Sequence, residues 1–196
     1  KGVSPQGKFY PNVAGEGSHM VTYTFIPANN CSVTKSQTIE VHPLPKVNAG
    51  ADQIILLGDQ VRLNATAKGS KLTYKWTPAA GLNDDDILNP IASPKRSTTY
   101  KLVVTSKNGC KSTDEVFIKV LPPMEIPSAF SPNGDGINDT WEIKYLDLYE
   151  GATVEVFNRS GDLVFHSEGR YVPWDGKYGE QDLPVGAYQY VINPKN

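Results

Sequence analysis

The sequence is poor in the residues from which most catalytic centres are assembled. Its 196 residues include two cysteines and three histidines, spread singly: Cys31, Cys110, His19, His42 and His166. A zinc site needs clustered Cys/His ligands at short spacings, and this pattern excludes one. No glycine-rich phosphate loop opens a helix, and no Gly-x-Ser-x-Gly elbow is present, so nucleotide handling and acyl transfer lack their parts. No apolar run approaches the about 18 residues that a membrane helix requires, and no helical span is expected. The formal net charge of −2 gives no basic field for a nucleic acid. Secretory leader chemistry is absent too, since Lys1 is followed by a polar, glycine-bearing stretch; an exported protein with this sequence is expected to begin upstream. What is present is turn chemistry. Seventeen glycines, fifteen prolines and ten tyrosines describe folded, turn-rich β structure rather than disorder.

The chain repeats itself. Tyr23, Asn30-Cys31, Ile39-Glu40-Val41 and Leu44-Pro45 return as Tyr100, Gly109-Cys110, Ile118-Lys119-Val120 and Pro122-Pro123. Such self-similarity marks tandem modules. Residues 1–43 are expected to be the last part of one module whose leading strands lie upstream. Residues 46–121 form a complete module and 124–196 a third domain, with prolines stiffening the linkers. Apolar residues alternate at Val61, Leu63 and Ala65, at Leu72, Tyr74 and Trp76, at Tyr100, Leu102 and Val104, and at Val116, Ile118 and Val120. That period of two predicts half-buried strands, and turn clusters at 68–70, 81–86 and 107–109 separate them. The expectation is an all-β chain of tandem immunoglobulin-like antiparallel β-sandwiches, with Trp76 at a core.

Ala49-Gly50-Ala51-Asp52, Tyr74-Lys75-Trp76, Thr98-Thr99-Tyr100 and Asn108-Gly109-Cys110 resemble the immunoglobulin-like or PKD-like repeats of bacterial surface proteins. The resemblance implies a stalk. Many such repeats pair the late cysteine with an early one near the position of Leu56, which implies that Cys110 has no partner within its own module. The partner of Cys31 would then belong to the upstream strands.

Charge changes at the second linker. Residues 124–196 carry five Lys/Arg against twelve Asp/Glu, a net of −7, whereas the upstream residues carry fourteen against nine. Within this acidic segment stand Phe130-Ser131-Pro132-Asn133-Gly134-Asp135-Gly136-Ile137-Asn138-Asp139 and Val156-Phe157-Asn158-Arg159-Ser160-Gly161, then Val164-Phe165. Trp174-Asp175-Gly176 and Leu183-Pro184-Val185-Gly186-Ala187-Tyr188 complete the set. These five ordered motifs resemble the gliding-motility-associated C-terminal domain, the type B sorting domain of the Bacteroidota type IX secretion system. The resemblance implies a C-terminal secretion signal of a large cell-surface adhesin, reaching the outside by way of the periplasm and the outer membrane. It also implies two partners, the translocon and a PorP/SprF-type outer-membrane barrel protein. Ser160 stands where the family has a bulky residue. Family members also continue past a segment like Tyr188–Ile192 into a turn and a final strand, so that strand is expected beyond this sequence, and Tyr188–Ile192 is expected to offer an edge to which a partner adds a strand.

Read physically, Asn133-Gly134-Asp135-Gly136 is a turn, because glycine permits positive φ and Asn or Asp side chains bond nearby amides. Trp174 is an aromatic plug entering a tight turn, and Asn158-Arg159-Ser160-Gly161 connects a hairpin. Tyr188, Tyr190 and Ile192 share one face of a late strand. A sharper reading counts oxygen-bearing side chains from Ser131: Asn133, Asp135, Asp139 and Glu142 then match a calcium loop except at its first position. The alternative is a loop closed by its own hydrogen bonds, with no cofactor. Asp84-Asp85-Asp86 reads as a solvated turn. The rival function is a carbohydrate-binding or adhesive β-sandwich, which needs exposed aromatics, but Trp76 and Trp174 both sit in core-like patterns. No nucleophile, base and metal set is assembled, so no enzyme is expected.

Overall fold

The computed structural model describes residues 2–28 and 31–195; Asn30, part of the repeat pattern, lies outside them. Among the described residues, helix is confined to α1 (Pro11–Ala14) and one 3₁₀ turn (Leu146–Leu148). The upstream strands are β1 (Gly17–Phe25), β2 (Val33–Val41), β3 (Lys46–Asn48), β4 (Gln53–Leu56) and β5 (Val61–Arg62). They are followed by β6 (Thr66–Lys68), β7 (Thr73–Thr77), β8 (Ile91–Ala92), β9 (Thr98–Thr105) and β10 (Lys111–Leu121). The acidic segment supplies β11 (Thr153–Phe157), β12 (Leu163–Glu168), β13 (Lys177–Tyr178), β14 (Gln181–Asp182) and β15 (Gln189–Asn193). The fold is all-β, built of short strands in several sheets, as the alternation predicts. The chain gathers into two compact units: residues 1–51, 62–92 and 100–116 in the first, and 52–61, 93–99 and 117–196 in the second.

In the first unit, β1 and β2 form an antiparallel hairpin in register from Gly17↔Val41 to Phe25↔Val33. Alternation puts His19, Val21, Tyr23 and Phe25 on one face and Ser18, Met20, Thr22 and Thr24 on the other. Thr22 and Ser36 meet across the second face at 2.9 Å. Elsewhere in this unit β7 pairs with β9, setting Trp76 opposite Leu102 and Tyr74 opposite Val104. Leu63, Trp76, Tyr100, Leu102 and Val104 are wholly buried. A buried aromatic needs a partner for its polar atom. The Trp76 indole N–H donates to the Ile87 carbonyl at 3.0 Å, and the Tyr100 hydroxyl donates to the Ala80 carbonyl at 2.9 Å. Burial pushes the Tyr100 phenol above its ordinary pKa. Cys110 is half-buried at the end of the hairpin turn, where its carbonyl accepts from the Ser106 amide at 2.9 Å, and so it lies outside the core.

In the second unit, β4 runs parallel to the end of β10, from Ile118↔Gln53 to Leu121↔Leu56. Alternation fixes which face is buried but not the direction of a neighbour, so antiparallel pairing throughout was the simplest expectation and this one pair differs from it. The acidic segment builds its own sheet, β12-β11-β15, antiparallel throughout. Its core holds Trp141, Ile143, Leu146, Tyr149, Val154, Val156, Val164 and Trp174, joined by Leu121.

Candidate functional site

The motif residues of 124–196 meet around one indole. Trp174 is 4% exposed. Its ring stands 5.4 Å from Phe130, 5.4 Å edge-on from Tyr188 and 6.0 Å from Phe165, within the range of favourable tilted pairs. Its N–H donates to the Lys177 carbonyl at 2.9 Å, which closes the Trp-Asp-Gly turn, and the Lys177 amide donates to the Asp175 carboxylate at 3.1 Å. Gly176 has φ +80°, and a β-carbon there would stand 3.0 Å from Pro132 Cγ and 3.4 Å from the Phe130 ring. The turn therefore packs directly on the Phe130–Pro132 motif, and a side chain at 176 is strained both by the positive φ and by the approach of Pro132.

The loop after Pro132 is held by one carboxylate. Asp139 Oδ1 accepts from the Asn133 amide at 3.0 Å and the Gly134 amide at 2.7 Å, while Oδ2 accepts from the Gly136 amide at 2.8 Å. Those donors, Gly134 and Gly136 foremost, hold the Asp139 carboxyl below the usual aspartate range. Asp135 accepts from the Ile137 amide at 2.8 Å and from the Asn133 side-chain amide at 2.9 Å. The backbone of Ser131 donates to the Asn138 carbonyl at 2.8 Å. Of the five oxygen-bearing residues read as a calcium loop, Asn133, Asp135 and Asp139 share this network and Ser131 joins it through its backbone. Glu142 stands exposed between buried Trp141 and Ile143, outside the network.

The remaining motifs are drawn in the same way. Asn158 Oδ1 accepts from the Ser160 and Asp162 amides, both at 2.9 Å, fixing the connection that contains Gly161. A register shift at Val156/Phe157 accommodates that turn. The Arg159 guanidinium lies against Gly186, where an added β-carbon would be 3.5 Å from Nη2. The Tyr188 hydroxyl donates to the Pro184 carbonyl at 2.7 Å. Phe130, Pro132, Trp174, Val185, Tyr188 and Tyr190 border an apolar groove of about 410 Å³.

Two residues essential to this arrangement escape the motif reading. Trp141 makes a backbone bridge to Trp174 at 2.7 Å, donates its indole N–H to the Pro127 carbonyl at 2.8 Å and packs 5.0 Å from Tyr190. Its alternation with Ile143 was the available signal. Tyr171 donates its hydroxyl to the Trp141 carbonyl, and burial pushes its pKa up to about 12, so the phenol stays a donor at all ordinary pH. That partner lies thirty residues away in sequence, and no local pattern announces it.

The contacts of this cluster are ring packing and hydrogen bonds. Among the described residues, three carboxylates converge only at Asp84–Asp86. There Lys75 Nζ sits 2.7 Å from Asp85 and 3.1 Å from Asp86, raising its own pKa and lowering that of Asp85. Trp76 and Trp174 are buried, so neither presents a flat ring for stacking on a sugar.

Residues 124–196 match the family model of the CHU_C Type IX secretion signal domain. No curated protein matches the sequence. Among solved structures, the chain is similar to protocadherin gamma B7 extracellular cadherin domains 1–4, with 13% identity over 97% of this chain and 62% of that one, at a TM-score of 0.32. It is also similar to SGBP-B of the Bacteroides ovatus mixed-linkage glucan utilization locus, solved with a mixed-linkage heptasaccharide. There the identity is 11% over 94% of this chain and 53% of that one, at a TM-score of 0.22. The chain thus spans less than two thirds of either structure.

Proposed function

We propose that residues 124–196 act as a folded address: the outer-membrane export machinery docks on their shape, and the modules before them form the stalk of a larger surface adhesin. The type IX secretion signal at 124–196 is a C-terminal sorting signal, and such a signal sends its protein to the cell surface or out of the cell. The observation that supports the docking reading is that Phe130, Phe165 and Tyr188, from three of the matched motifs, pack on Trp174 and give residues 124–196 a core and a defined surface of their own. Its partners are the translocon and, by the resemblance of the motifs, a PorP/SprF-type barrel protein. The role is non-enzymatic, since docking needs shape and hydrogen bonds alone. A reporter fused to residues 124–196 in a bacterium with a working type IX system is expected outside the cell, and the reporter without them in the periplasm. Equal export of the two would overturn the reading.

A further inference from the structure

We propose that Asn133–Gly134 is a self-modification site which the folded loop keeps closed: Asp139 and Asp135 hold the reacting groups apart, and a chain that loses their grip converts Asn133 to aspartate and iso-aspartate. The loop's own geometry carries this, independently of the sorting reading. An Asn–Gly pair is prone to the change because glycine has no β-carbon to hinder the approach of its nitrogen. The sequence contains the pair twice, at Asn108–Gly109 and Asn133–Gly134. In the reaction the Gly134 nitrogen gives its proton to hydroxide and bonds to Asn133 Cγ. The Cγ–Nδ2 bond breaks, ammonia leaves and a cyclic imide remains. Water then opens the imide at either carbonyl, giving aspartate or an iso-aspartate whose main chain runs through the side-chain carbon.

Each group that this reaction uses is engaged in the fold. The Gly134 N–H donates to Asp139 Oδ1 at 2.7 Å, and the negative charge of that carboxylate opposes loss of the proton. The Asn133 side-chain amide donates to Asp135 Oδ2 at 2.9 Å, while its oxygen accepts from the Asp135 amide at 3.2 Å. The Asn133 backbone is tied to the same Asp139 oxygen at 3.0 Å, so both halves of the pair are fixed. Asn108–Gly109 supplies the contrast. The Gly109 amide donates to the neutral Ser106 carbonyl at 2.9 Å, but the exposed Asn108 side chain makes no hydrogen bond among the described residues. Conversion at 133 also undoes its own restraint, because it sets a carboxylate where an amide donated to Asp135. A chain that lingers unfolded before export therefore spoils a motif of its own secretion signal.

The test incubates the full chain in mildly alkaline buffer, native and in guanidinium chloride, and follows both pairs by peptide mapping that separates asparagine, aspartate and iso-aspartate. In guanidinium the two pairs are expected to convert at similar rates. In the native chain Asn133 is expected to convert slower by about tenfold or more, since opening must break hydrogen bonds to a charged acceptor, and Asn108 is expected to be slowed less. Asp139→Ala, held where circular dichroism shows it folded, is expected to bring Asn133 near its guanidinium rate and to leave Asn108 unchanged. Asp135→Ala frees the side chain alone and is expected to give a smaller rise. Native conversion of Asn133 as fast as in guanidinium overturns the inference, and so does a folded Asp139→Ala chain that converts no faster than the parent. Should Asp139→Ala fail to fold, the parent decides: a greater native slowing at Asn133 than at Asn108 supports the grip, and equal slowing overturns it.

Discussion

Asp139 shows what a single carboxylate does in an otherwise exposed loop. Three backbone amides converge on its two oxygens, and the charged form is the better acceptor, so its pKa is lowered in the folded state. A depressed carboxylate adds stability above the unfolded aspartate value of about 4, and that contribution is lost as pH falls through the folded value. Asp139→Asn is therefore expected to lower the melting temperature at neutral pH and to converge with the parent in acid. A constant difference across the pH range in thermal scans would refute this role. The same geometry bears on calcium, because the oxygens an ion needs are already taken by amides. We expect no heat on titration with millimolar calcium and no melting shift on chelation; a stabilisation of several degrees would make the loop a cation site. Gly176 poses a steric question instead. Its φ of +80° and the 3.0 Å approach of Pro132 predict that Gly176→Ala costs about 1–3 kcal/mol, measurable by urea unfolding.

Among the elements, the strands of the middle module are the most legible part of the sequence. Tyr100, Leu102 and Val104 recur at every second position and are wholly buried, while Lys101 and Val103 between them are not, as the period of two demands. Leu63 and Ala65 are buried as the pattern says, yet they lie between β5 and β6 rather than within a strand, because periodicity reports a face and not a ladder. The parallel run of β4 beside β10 left no local mark, and neither did the thirty-residue link from Tyr171 to Trp141. The motifs around Trp174 were legible as a set through resemblance, but their convergence was not, since each motif describes only its own turn. The β1–β2 hairpin gives the contrasting case. Its alternation equals that of β9, but Tyr23 and Phe25 are 68% and 53% exposed, and a two-stranded hairpin alone is marginal. Its amides are therefore expected to exchange through local opening far faster than those of β7 and β9. Equal protection of both would mean that the hairpin's apolar face is covered in solution.

For the whole molecule, the question is whether export reads a folded outline or a string of residues. The acidic segment has its own core centred on two tryptophans, so its fold can be weakened without touching its surface. Trp174→Ala removes the ring that joins Phe130, Phe165 and Tyr188, and a buried aromatic truncated to alanine costs about 3–5 kcal/mol. Val185→Ser alters a fully exposed side chain and is expected to leave stability within about 0.5 kcal/mol of the parent. In reporter fusions the exported fraction should follow the folded fraction, being close to the parent at low temperature and falling for Trp174→Ala as its own unfolding midpoint is approached. Periplasmic precursor must be counted alongside, so that proteolysis of unfolded chains is not mistaken for failed sorting. If Trp174→Ala is exported at the parent's rate above its melting temperature, the outline is not what the machinery reads, because the residues survive there and the shape does not.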